Sequence, residues 1–218
     1  MEEVVLWDLD EMDYIHTWEL QKKLVAKKAK DRLTPDYLLF VEHPHVFTTG
    51  RKGNLENLLS RGKIPVYQVE RGGDVTYHGP GQLVYYPIMD IMRREITVRD
   101  FVRALEEVTI VALGKLGIQA KRIDGYTGVW VGEKKIASIG VAVDHWVTFH
   151  GVALNVNTQL DYFFRIKPCG LRPDVMTSIE VIKGAKQEMQ PVKKEVSAAF
   201  ESVFRTKLIM KHTEIAEA

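Results

Sequence analysis

Residues 128–157 limit the folding of this chain more than any other stretch. "GVWV", "KKIASIGVAV" and "VTFHGVALNV" are runs rich in β-branched residues, separated only by the short joints "GEK" and "DHW". Strands joined so tightly must be antiparallel neighbours, because a parallel pair needs a crossover of a dozen residues or more. The stretch therefore predicts a meander of hairpins. "YLLFVE", "PVYQVE" and "QLVYYPIMDI" read as further strands, the first as a buried one.

Three helices are expected around them. Asp13 suits the cap of a helix running to about Arg32, with Ile15, Trp18, Leu24 and Val25 on an apolar stripe opposite Lys22, Lys23, Lys27 and Lys28. Thr97 opens a second, in which Val98, Phe101, Val102, Leu105, Val108 and Leu116 share a face and Gly117 suits the terminator. A third follows Pro191, with Val192, Val196, Phe200, Val203 and Phe204 as its stripe. Helices and strands mix without the strict alternation of a doubly wound sheet, so the expected class is α+β, a mixed or antiparallel sheet covered by helices. Residues 1–218 are read as one domain, with a helical C-terminal part from about residue 177 packed on it.

The charge balance narrows the partners. Thirty basic against 29 acidic side chains leave a formal charge of +1, interspersed along the chain. Nucleic acid is not expected as a partner. An acidic start, "MEEVVLWDLD", and the lack of an apolar run of roughly 18 residues argue against a secretory leader or a membrane span, so a cytoplasmic location is expected.

"RGGDVTYHGPGQ", residues 71–82, sets four glycines and one proline between two predicted strands. It reads either as a tight connection or as a pocket wall whose backbone approaches a ligand closely. Arg71, Asp74, Thr76, Tyr77, His78 and Gln82 give it more donors and acceptors than a turn needs, and it matches neither common nucleotide-binding glycine pattern. The single cysteine, Cys169, stands in "RIKPCGL". By itself it is either a small buried hydrophobe or a nucleophile.

"RGGDVTYHGPGQLVYYP", "KKIASIGV", "FHGVALNV" and "PCGL", in this order and spacing, closely resemble the octanoyltransferases that begin lipoate attachment. The resemblance spans roughly residues 30 to 175. It implies the fold of biotin protein ligases and lipoate ligases. It also implies transfer of an octanoyl group from octanoyl-acyl carrier protein to the target lysine of lipoyl domains. These acceptors are the lipoyl domains of 2-oxoacid dehydrogenases and the glycine cleavage H protein. No cofactor and no metal is implied, and a monomer is expected. By resemblance Cys169 of Pro168-Cys169-Gly170 is the nucleophile, carrying the acyl group as a thioester, and Lys135 of Lys135-Ile136-Ala137 is its catalytic partner, with Lys134 an adjacent decoy. The implied acyl pocket comprises Arg71, Gly72, Gly73, Asp74, Val75, Thr76, Tyr77, His78, Ser138, Ile139, Gly140, Gly151, Val152 and Ala153.

The chemistry suits such a pair. A free cysteine, with a pKa near 8.5, is only slightly ionised at neutral pH. An ammonium about 4 Å away attracts the thiolate by roughly 4 kcal/mol at an effective dielectric near 20, before desolvation is subtracted. Oxyanion donors are expected from backbone N–H groups near Cys169 and Gly170 or in the glycine-rich loop. An apolar tunnel is expected to select chain length.

Five histidines, His43, His45, His78, His145 and His150, lack familiar zinc spacing, and no metal site is expected. His78 and His150 read as hydrogen-bonding parts of the pocket wall or as structural histidines. Acyl carrier proteins are acidic, and Arg51, Lys52, Arg93, Arg94, Lys121 and Arg122 are candidates for a local basic patch, each more simply read as a solvated charge. Two rival readings remain: an ATP-dependent lipoate or biotin ligase, against which "PCGL" argues, and a non-catalytic module that binds an acyl chain or lipoyl domain.

Overall fold

The computed structural model describes residues 2–167 and 172–210. In chain order the elements are β1 (Glu2–Glu11), α1 (Tyr14–Lys30), β2 (Asp36–Glu42), β3 (Val46–Thr49), β4 (Val66–Gln68), β5 (Val75–His78) and β6 (Gln82–Ile88). They continue as α2 (Val98–Lys115), β7 (Lys121–Ile123), β8 (Tyr126–Val131), β9 (Lys134–Asp144), β10 (Val147–Asn155), α3 (Ile179–Lys183), α4 (Met189–Phe204) and β11 (Thr206–Met210). Eight strands form one sheet in the order β11-β1-β2-β6-β10-β9-β8-β7, and β4-β3-β5 form a smaller one.

The hairpin meander is present as expected: β8, β9 and β10 pair antiparallel in sequence order. β1 runs parallel to both β2 and β11, so the sheet is mixed and the class is α+β. The apolar run of β2 follows from burial on both faces. Leu38 and Phe40 enter the core shared with α2 and α4, whereas Tyr37, Leu39 and Val41 enter the one beneath α1.

Local chemistry sets the helix ends. Asp13 Oδ1 accepts the Ile15 N–H at 2.9 Å. Thr97 and Asp100 form a reciprocal capping box at the start of α2, and Gly117 follows its end with φ +78°. Phe101, Leu105, Val108, Ala112 and Leu113 on α2 are fully buried, and truncating one such leucine costs about 2–5 kcal/mol. α4 packs against α2, and β11 extends the main sheet.

The structure corrects two local readings. The glycine-rich segment is not only a loop: Val75–His78 form β5, antiparallel to β3. Its β-branched and aromatic residues pair with a distant strand despite the glycines on either side. Lys28 does not lie on a solvated face. It is buried, with Nζ 2.8 Å from Asp36 Oδ1 and donating to the Thr34 carbonyl at 2.6 Å. No helix among the described residues is long and apolar enough to cross a membrane.

Candidate active site

A cavity of about 500 Å³ lies between the glycine-rich segment and the β9–β10 hairpin. The segment is held there by its own polar side chains. Arg71 is buried, and its Nη2 donates to the Thr48 carbonyl at 2.8 Å and to Thr48 Oγ1 at 2.9 Å, while Nη1 donates to the Gly72 carbonyl at 3.0 Å. Asp74 accepts from the backbone N–H groups of Asn54 and Val75 and from Asn57 Nδ2. The Gly72 N–H donates to the Val141 carbonyl at 2.9 Å, which ties the segment to β9. A Cβ on Gly140 would stand 2.9 Å from the Gly72 carbonyl oxygen, so any larger residue here must push the two segments apart.

Of the fourteen expected pocket residues, Arg71 to Thr76, His78, Ser138 to Gly140 and Gly151 to Ala153 line the cavity. Tyr77 does not. Successive strand residues face opposite ways, and Tyr77 stacks on Tyr162 at 4.8 Å with its hydroxyl 2.7 Å from His45 Nδ1. Tyr14, Tyr86, Val98, Val102, Tyr126 and Met176 also line the cavity. Nothing local in the sequence marks them: they come from three helices or turns and two strands that only folding brings together.

Burial sets the state of the histidines. His78 bonds through Nδ1 to Gln82 Oε1 at 2.9 Å, and burial holds its pKa well below the ordinary value. His43 lies between the Met12 carbonyl and the Tyr86 hydroxyl, with its pKa pushed down to about 4, chiefly by burial. His150 lines the cavity in a left-handed backbone conformation, φ +57°. Its pKa is pushed down to about 3 by burial and by the positive charges of Arg71 and Lys22. All three imidazoles are therefore neutral near pH 7; His78 is a hydrogen-bonded part of the cavity wall, His150 lines the cavity with no hydrogen bond to its ring nitrogens among the described residues, and His43 does not line it.

The two adjacent lysines diverge. Lys134 is exposed and its Nζ donates to the Asp174 carbonyl at 2.6 Å. Lys135 is only 6% exposed and lines the cavity, with Nζ 5.7 Å from the centre of the Trp130 ring. Its carbonyl accepts the Thr177 N–H at 2.9 Å, and Lys135 pairs in parallel with Met176. The chain that follows "PCGL" is thus anchored on the backbone of Lys135. Cys169 itself, with Pro168 and Gly170, lies outside the described residues.

The basic candidates separate. Arg94 pairs with Asp36 and Glu2, Arg93 with Glu2, and Arg122 with Glu106 and Glu107, so these three are committed within the molecule. Arg51 and Lys52 stay exposed, and the Arg51 N–H is bonded to the Arg71 carbonyl beside the cavity.

Solved structures share this architecture. A lipoate-protein ligase A bound with ATP is 17% identical with a TM-score of 0.72, over 99% of this chain and 90% of that one. A biotin protein ligase from Aquifex aeolicus is 14% identical with a TM-score of 0.54, over 94% of this chain and 70% of that one. The fold is that of the lipoate and biotin protein ligases. A family profile, the lipoyl protein ligase A/B catalytic domain, matches residues 13–201. An octanoyltransferase of Solibacter usitatus is 47% identical over 210 residues, 94% of each chain, and one of Syntrophobacter fumaroxidans is 49% identical over 185 residues, 82% of this chain and 81% of its own. The chain belongs to the lipoyl protein ligase A/B catalytic domain family, among its octanoyltransferases, and is an enzyme of the lipoyl(octanoyl) transferase type.

Proposed function

We propose that this enzyme moves an octanoyl group from octanoyl-acyl carrier protein to the target lysine of lipoyl domains through a thioester on Cys169. The observation that carries the reading is the buried Lys135 in the cavity wall, whose backbone anchors the chain segment leading back to Cys169. The cavity residues from 71–76, 138–140 and 151–153 hold the acyl chain, with apolar contact worth about 0.8 kcal/mol per buried methylene.

The Cys169 thiolate attacks the carbonyl carbon of the donor thioester. The new S–C bond forms, the bond to the carrier sulfur breaks, and Lys135 gives its proton to the departing thiolate. The target lysine then attacks the enzyme thioester as a neutral amine. Its C–N bond forms, the bond to Cys169 breaks, and the amine Lys135 takes the proton lost from nitrogen. The thiolate and ammonium are restored, and no nucleotide is consumed because the donor is already a thioester.

Mass spectrometry of enzyme mixed with octanoyl-carrier protein, without ATP, is expected to show one octanoyl adduct on Cys169, and Lys135→Ala to slow its formation severely. An active enzyme that never carries the adduct would exclude the covalent route. A structural likeness to an ATP-bound ligase favours the second reading, activation of a free acid. Activity only with free octanoate and ATP would establish that one instead.

A further inference from the structure

We propose that Glu106 and Gly128 are positioning residues for Lys135, an inference that rests on the role proposed for that lysine. A bulge, a glycine and a buried carboxylate converge on its side chain. Val129 faces Ala137 while Trp130 faces Lys135, so Ile136 is the extra residue on β9. Lys135 lines the cavity, whereas Ile136 and Ala137 enter the core shared with α2 and α4. The bulge, which re-aims side chains where it occurs, therefore falls directly beside Lys135.

The space it enters exists because residue 128 has no side chain. A Cβ on Gly128 would stand 2.5 Å from Lys135 Cε, 3.2 Å from its Nζ and 2.6 Å from the Ala137 carbonyl oxygen. Gly128 also has φ +129°, a conformation that side-chain-bearing residues rarely adopt. This backbone is fixed from α2. The Gly128 N–H donates to Glu106 Oε1 at 3.0 Å, and Arg122 Nε holds the other carboxylate oxygen at 3.0 Å. Glu106 is itself buried beside the fully buried Leu105. The tether therefore links the packing of α2 to the location of the ammonium without contributing an atom to the reaction.

The test is the pH profile of iodoacetamide alkylation at the chain's one cysteine, read with kcat, KM and thermal unfolding. Glu106→Ala and Gly128→Ala are expected to raise the thiol's apparent pKa toward that of Lys135→Ala. They should lower kcat by about 10²-fold while KM for octanoyl-carrier protein stays within about twofold, as expected for a misplaced reacting group. Glu106→Gln, which keeps an acceptor for the Gly128 N–H, should recover most of what Glu106→Ala loses. In a Lys135→Ala background Glu106→Ala should add no further shift, an outcome that a general loss of stability would not produce. Arg122→Ala loosens the same carboxylate from the surface and carries the test should Glu106→Ala or Gly128→Ala not fold. Folded Glu106→Ala and Gly128→Ala variants with the wild-type profile would overturn the positioning alone. A wild-type profile in Lys135→Ala would overturn the role of the lysine, and the positioning with it.

Discussion

Gly140→Ala probes where the acyl chain runs. Gly140 pairs with Gly151 across the β9–β10 hairpin, and a Cβ there would meet the Gly72 carbonyl oxygen at 2.9 Å and Arg71 Cδ at 3.1 Å. Arg71 is held by hydrogen bonds from Nε, Nη1 and Nη2 to Thr48 and Gly72, so the segment can yield only slightly. Overpacking of this kind costs about 1–3 kcal/mol, offset by about 0.4–1 kcal/mol from the stiffer unfolded chain. At roughly 2–4 °C per kcal/mol for a protein of this size, Tm should fall by less than about 10 °C and the variant should fold. Gly140 lies five residues along β9 from Lys135, roughly 15 Å at strand spacing, so the narrowing falls on the far part of the chain. Each methylene excluded from the wall removes about 0.8 kcal/mol, close to fourfold in kcat/KM. With butanoyl-, hexanoyl- and octanoyl-carrier protein as donors, kcat/KM should fall roughly 15-fold for the octanoyl donor if two methylenes are lost, and little for the butanoyl donor. An equal loss at every length, or none in a folded variant, would show that the chain does not pass between Gly72 and Gly140.

Two further outcomes concern stability. Lys28→Met leaves Asp36 its ion pair with Arg94 and its hydrogen bond from the Asp90 N–H, so the loss should sit near the low end of what breaking a buried pair costs, about 3 kcal/mol. Thermal unfolding checks this, and a loss below about 1 kcal/mol would show that the pair is dispensable. His43 and His150 have folded pKa values of about 4 and about 3 against an ordinary 6.5, so below pH 6.5 the unfolded chain binds more protons than the native one. Stability should be flat in this contribution above pH 6.5 and fall as the pH drops toward 4. His43→Gln should unfold with a shallower acid dependence, and an unchanged slope would count against the buried neutral imidazole.

What the sequence showed was what acts locally. Asp13 and Thr97 cap their helices through neighbours two and three residues away, and the β8–β10 meander needs only short turns. β1 was illegible because the carboxylates of Glu2, Glu3, Asp8, Asp10 and Glu11 dominate its composition. Its buried Val4, Leu6, Trp7 and Leu9 gain meaning only beside β2 and a β11 some 200 residues away in sequence. Lys28 looked solvated because its partners, Thr34 and Asp36, lie past the end of its own helix. In the cavity, the contiguous motifs were visible and, with the resemblance, named most of the wall. Tyr14, Val98, Val102 and Met176 carry no such mark, because each is an ordinary apolar or aromatic residue until the fold turns it inward.

Lys134 and Lys135 show what the fold adds to a motif that already distinguishes them. The two side chains are identical and adjacent, so intrinsic reactivity cannot tell them apart. One is exposed and bonded to the Asp174 carbonyl, while the other is buried in the cavity wall beside the Trp130 ring. The alternation of a strand separates them, because Lys134 and Lys135 pair in regular register with Val131 and Trp130, and the bulge at Ile136 comes only after them. Shifting the β8–β9 register by one residue would exchange their faces while leaving every motif in the sequence intact. The features that prevent that slip are non-local: the Gly128 N–H held by Glu106 on α2, and the Thr177 N–H bonded to the Lys135 carbonyl. The reactivity assigned to one lysine is therefore a property of the sheet register, and the register is held by contacts from α2 and from the segment that follows Cys169.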